Sequence, residues 1–172
     1  MYIWMQIIPR LGNINLCNIT RDEFREVFQL RSVIECYAAS RAAEQMSDDD
    51  LRRWMECVEK SEAAVLDGNL EEFNNMEILL HNNLIDSLQN KRISSVMETI
   101  ADSIYRERKI AMDSEENVQQ SVQEHRAIAE AIAMRSPEKA ERAMRTHIRN
   151  VERRIEKIVF GDWMNRRIQK RL

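Results

Sequence analysis

The sequence predicts an all-α fold, an antiparallel bundle of six or at most seven helices, and three observations lead there. Gly 3 and Pro 2 in 172 residues are too few for the turns of an all-β chain. Ala, Glu, Arg, Met and Leu, which recur throughout, are good helix formers. Capping residues then divide the chain into segments of about 20 residues with short connections, the pattern of a bundle. A chain of this length makes one domain whose folding hides roughly 70% of its surface.

Thr20 followed by Glu23 is a capping box, in which hydroxyl and carboxylate satisfy free amides, and Phe24, Val27, Phe28, Ile34 and Ala38 recur at helical spacing over about 21 to 45. Ser47 before three aspartates opens the second helix, because oxygen acceptors and negative charge suit a helix N-terminus; Asp67-Gly68 stops it. Asn69 with Glu72 starts the third, which ends near Asn90. A fourth spans about 91 to 112, and Asp113 with Glu116 starts the fifth. Ser136-Pro137 starts the sixth with proline at its first position, where the missing amide does no harm, and Gly161 stops it. Only residues 1–19 differ, with "YIWMQIIP" reading as a strand and "RLGN" as a turn.

Charge and cysteines narrow the function classes. The formal net charge of −3 does not suggest a nucleic-acid binder, although residues 149–172 carry +5 and therefore leave −8 elsewhere. That basic run reads as a solvated C-terminal helix. Cys17, Cys36 and Cys57 are odd in number and lack CxxC spacing, so neither a disulfide framework nor a zinc ribbon is indicated, and a reducing cytoplasm is the expected compartment. "MYIWMQIIPRLG" is apolar but meets Pro9 and Gly12 too early for a signal peptide or membrane span.

The chemistry lies in three histidines. On the third helix the apolar stripe Phe73, Leu80, Leu84 and Leu88 is completed at its three-to-four spacing by Glu77 and His81. On the fifth, Val118, Val122, Ala129 and Ile132 leave a gap that His125 fills; on the sixth, His147 fills the gap among Ala140, Met144, Val151 and Ile158. All three histidines of the chain therefore face the core. A lone inward histidine is usually a satisfied core residue, but three on separate helices, with a buried carboxylate one turn from the first, each need a partner in a dry interior. A divalent cation meets all four demands, since it takes neutral imidazoles and an ionised carboxylate together. Three nitrogens and one oxygen suit zinc, with nickel, manganese or cobalt also compatible.

Arg31 falls on the inward stripe of the first helix, between Phe28 and Ile34. A guanidinium pointed into a bundle needs an anion, which could be an acid ligand or the neighbouring Glu35. Arg108 lies on the extension of the fourth helix's stripe and is a weaker candidate of the same kind.

These helices resemble the FadR C-terminal domain, the effector-binding domain of GntR-family bacterial transcriptional regulators. The segments that carry the resemblance are "EVFQLRSVIECYAASRAA", "FNNMEILLHNNLIDSLQN", "EHRAIAEAI" and "AMRTHIRNV", over about residues 20 to 155. The resemblance implies a divalent metal and, beside it, a small carboxylate effector. It gives His81, His125 and His147 the imidazole positions, with Glu77 where the family usually has aspartate and Leu80 where phenylalanine is common. Asn90 matches an asparagine frequent at the end of that helix, counted with Arg31 and Arg108 as effector-binding, although a turn or capping role is simpler. The resemblance also implies a homodimer. "IIPRLGNINLCNIT" resembles the end of a wing and the linker after it, so residues 1–19 read as that remnant and 20–172 as the sensing domain. No element able to enter a DNA groove is in the chain, so DNA would be reached through a separate winged-helix module.

The expected function is thus a sensor of a small organic acid. A dimerisation domain without metal is the alternative. An enzyme is not expected: no histidine remains for acid–base work once the ligands are assigned, Glu124 beside His125 is turned partly away by its neighbour's inward direction, and no histidine has the Glu three residues earlier that a di-iron bundle needs.

Overall fold

A computed structural model describes residues 20–111 and 114–161. Among these the chain forms seven helices: α1 (Arg21–Gln45), α2 (Asp48–Leu66), α3 (Leu70–Ser87), α4 (Lys91–Thr99), α5 (Ala101–Ala111), α6 (Glu115–Ala133) and α7 (Pro137–Glu156), the last running on into a π-helical turn, Lys157–Gly161. The strand and turn read in residues 1–19, the helix start at Asp113 and the basic residues after Gly161 lie outside the described residues. No described helix is long and apolar enough to cross a membrane.

The capping signals translate directly into helix starts. Thr20 and Glu23 exchange hydrogen bonds as a capping box, and Ser47 and Asn69 accept from the backbone amides of Asp50 and Glu72. Pro137 occupies the first turn of α7. Ser114 caps α6, accepting weakly from the Asn117 amide at 3.5 Å. Gly68 closes α2 at φ 69°, the left-handed cap position where glycine carries no steric cost.

The fourth predicted helix is two. It breaks at Ile100, whose amide turns back to the Met97 carbonyl at 3.2 Å, while the Thr99 hydroxyl donates to the Val96 carbonyl at 2.7 Å. A threonine that satisfies a carbonyl of the preceding turn competes with the helix ladder. Neither glycine nor proline marks the spot, so the periodicity runs through it unbroken.

The long helices α1, α6 and α7 make the centre, with α2 and α3 packed on each other against it. Ala38, Ala39, Ala42 and Ala43 on α1 and Ala140 on α7 are all within 1% of full burial. Such small side chains let the backbones approach closely. Ile128, Ile132, Met144, Ile148 and Ile155 fill the remaining centre, each contributing roughly 1.5–3 kcal/mol of burial free energy. Trp54 of α2 is 2% exposed and its ring N–H donates to the Leu80 carbonyl at 2.9 Å. That bond fixes α3 one residue before His81.

Candidate metal centre

His81 comes from α3, His125 from α6 and His147 from α7, and the packing brings their rings together. Ring centroids are separated by 5.2 Å for His81 and His125, 5.3 Å for His81 and His147 and 4.4 Å for His125 and His147. One ring nitrogen from each lies within 4.8 Å of the others. All three residues are buried. Glu77, also buried, is outside that nitrogen group: its Oε1 is 2.7 Å from Nδ1 of His125, yet the angle is poor and neither atom has a hydrogen bond.

Carboxylates hold the other two rings. Nδ1 of His147 donates to Glu124 Oε2 at 2.8 Å, and Nδ1 of His81 contacts Glu35 Oε2. Glu35 Oε1 also accepts from Arg31 Nε at 2.7 Å. Burial and the neighbouring His125 lower His147 to about 3, although Glu124 works against them; burial likewise lowers His81 to about 4 against the pull of Glu35. Burial would raise Glu124, but the bonds from His147 and Arg154 outweigh it and hold the carboxyl at about 2. Burial would also raise Glu77, and the facing imidazoles, His125 first, bring it down to about 2.

A count of protons follows from these states. A neutral imidazole carries one N–H, and an ionised carboxylate can only accept. His81 and His147 spend theirs on Glu35 and Glu124. His125 lies between Glu77 Oε1, 2.7 Å from its Nδ1, and His81 Nε2, 3.2 Å from its Nε2, two atoms with no proton to share. A divalent ion facing three imidazole nitrogens is what that donor set fits.

A cavity of about 30 Å³ borders the cluster, reached by Arg31, Asn74, Glu77, His81, Arg108 and His147. It has room for roughly two waters or a few ligand atoms. Arg31 Nη1, Asn74 Oδ1 and Glu77 Oε1 are buried and lack hydrogen bonds. Arg31 is 1% exposed, with Glu107 Oε2 3.7 Å from Nη1, too far for a hydrogen bond. Burial works against the Arg31 charge, but Glu35 and Glu107 more than restore it. Arg108 has no ion pair among the described residues; burial and the charge of Arg31 lower it to about 10. Asn90 stands apart. It is exposed and caps α4, accepting from the Arg92 and Ile93 amides at 3.0 and 3.3 Å.

Sequence reasoning missed Glu124 as a histidine partner, and Asn74 and Glu107 altogether. Glu124 is turned from the core of its own helix but toward α7, where His147, Asn150 and Arg154 meet it. A carboxylate one turn or less from an inward histidine, with arginine and asparagine on the next helix, is the only signal that could have pointed to it.

The metal-free protein should lose stability steeply in acid. His81 and His147, lowered from 6.5 to about 4 and about 3, take up protons in the unfolded chain first, so their contribution is lost as pH falls from about 6.5. Glu107 opposes this: burial, resisted by Arg31, raises it from 4.5 to about 7, so its contribution grows as pH falls from 7 to 4.5. Glu77 and Glu124, lowered from 4.5 to about 2, then add their loss below 4.5. Urea midpoints should therefore fall gently from pH 7 to about 4.5 and sharply below; a flat profile across the lower range contradicts the buried neutral histidines.

Comparisons with known proteins identify the family and the fold. Residues 26–150 match the FCD domain family. The HTH-type transcriptional regulator LutR of Bacillus subtilis (strain 168) is 28% identical over 137 residues, 77% of this chain and 62% of that protein, so the chain spans about three fifths of that curated relative. Among solved structures, Streptococcus agalactiae GntR superposes with a TM-score of 0.65 at 26% identity, covering 78% of this chain and 61% of that one. The metal-free FCD domain of TM0439 superposes with a TM-score of 0.68 at 22% identity, covering 84% of this chain and 99% of that domain, a likeness of fold.

Proposed function

The chain belongs to the FCD-domain family of GntR-type transcriptional regulators, and from that premise we propose that its bundle senses a small organic acid beside a divalent metal. His81, His125 and His147 hold the metal, with Glu77 as the fourth donor once its side chain turns from His125. Zinc suits this set best; nickel, manganese or cobalt would also be accepted. The metal supplies positive charge at the ring nitrogens and open positions for an acid's oxygen. Arg31 and Arg108 flank the same cavity and receive the carboxylate.

The observation that carries this reading is the convergence of one ring nitrogen from each of three buried imidazoles within 4.8 Å, with Glu77 Oε1 2.7 Å from Nδ1 of His125. A metal-free dimerisation domain accounts for the two rings that have their own carboxylates but leaves the third unexplained. The family is one of regulators rather than enzymes. We place its action in the cytoplasm as a homodimer, with DNA contacted by a separate winged-helix module.

Metal analysis and melting test the proposal together. The purified protein should carry one divalent ion per chain, and a chelator should lower the melting midpoint by roughly 5–10 °C, the shift expected when an ion at a hundredfold excess over its Kd is removed. Small mono- and dicarboxylates should raise it without being converted. An absence of metal together with a chelator-insensitive midpoint favours the dimerisation domain.

A further inference from the structure

Two of the three clustered imidazoles are gripped from behind, and the grips are themselves anchored. Glu124 takes Nδ1 of His147 at 2.8 Å. Its Oε1 also accepts from Asn150 Nδ2 at 2.9 Å and Arg154 Nη1 at 2.8 Å, and its Oε2 from Arg154 Nη2 at 3.0 Å. Arg154 is tied in turn to Gln120 Oε1 and Ser121 Oγ, each at 3.2 Å. On the other side Glu35 takes Nδ1 of His81 while Arg31 Nε holds its second oxygen at 2.7 Å.

Each carboxylate does two things to its ring. As an acceptor it draws the single N–H to Nδ1, which leaves Nε2 bare, and as an anchored group it stops the ring from turning about χ2. The two together present a lone pair in one direction. His125 has no such hold, since Glu77 approaches its Nδ1 out of line.

We propose that Glu35 and Glu124 are positioning residues for the metal site, each selecting the tautomer and fixing the direction of one ligand histidine. The inference rests on the metal reading above. Glu124 gives the cleaner test, because Glu35 also neutralises Arg31.

Cobalt(II) alone is the probe, added to the full chain, with affinity read by chelator competition and geometry by the visible absorption spectrum. Glu124→Ala should weaken cobalt by roughly 10–100-fold and change the spectrum, because the His147 ring is released. Glu124→Gln, whose amide oxygen can still accept from Nδ1 but whose NH₂ meets the Arg154 and Asn150 donors, should lose less. Glu62→Ala, which breaks the Arg126–Glu62 ion pair between α6 and α2, should keep wild-type affinity. A merely structural role would lower the midpoint of the metal-free Glu124 variants and leave cobalt affinity and spectrum as in the wild type, and that result overturns the proposal. If the wild type itself takes up no cobalt, the metal reading falls and this inference with it; if Glu124→Ala does not fold, the same comparison stands on Glu124→Gln.

Discussion

Replacing His125 with alanine should abolish stoichiometric divalent-metal binding and leave the helical far-UV spectrum intact. His125 is the imidazole closest to His147 and the one whose nitrogens both face groups that lack a proton to share. Structural zinc sites are worth about 10–16 kcal/mol in total. One donor of three or four therefore accounts for roughly 3 kcal/mol, a loss above about a hundredfold in affinity. The helix should survive because alanine is the best helix former and α6 keeps Ile128, Ala129 and Ile132 in the core. Elemental analysis after dialysis checks it; metal content equal to the wild type would remove His125 from the ligand set.

Arg31→Ala should destabilise the metal-free fold by about 3–5 kcal/mol. Arg31 and its partners Glu35 and Glu107 are each at most 2% exposed. Removing the cation leaves Glu35 buried with only the His81 ring to hold it and Glu107 buried without an ion pair among the described residues, a larger penalty than the pair's net contribution. For a chain of this size the midpoint should drop by roughly 10 °C. The same change should weaken acid binding, since the cavity loses its deepest guanidinium, and should loosen His81 through Glu35. Arg31→Lys rescues little, because an ammonium cannot engage Glu35 and the cavity through separate N–H groups as the planar guanidinium does. A loss below about 1 kcal/mol in urea titration would mean that the buried carboxylates are neutral.

The helix starts were legible because each is signalled by residues that touch one another within one turn. Thr20 with Glu23, Ser47 and Asn69 act on amides three residues away or nearer, Pro137 presets its own φ in the first turn of α7, and no distant contact is needed to place them. The break at Ile100 was not legible, since a threonine hydroxyl turning onto a carbonyl is one of several rotamers open to it. Asn90 shows the opposite case. Its local capping chemistry, the simpler reading of the residue, is what the side chain does.

The inward direction of His81, His125, His147, Glu77 and Arg31 was set by the sequence itself, because 3.6-residue periodicity determines which side of its own helix a residue occupies. Which residue it then meets is decided between helices. Glu124 reaches His147 only through the rotation and axial offset of α6 against α7, and Glu35 reaches His81 only through those of α1 against α3. Those offsets come from ridges packing into grooves along whole helix faces, a sum over many weak contacts far apart in the chain. The sequence could therefore bring the histidines to the core, while the tertiary structure alone chose the carboxylates behind His81 and His147.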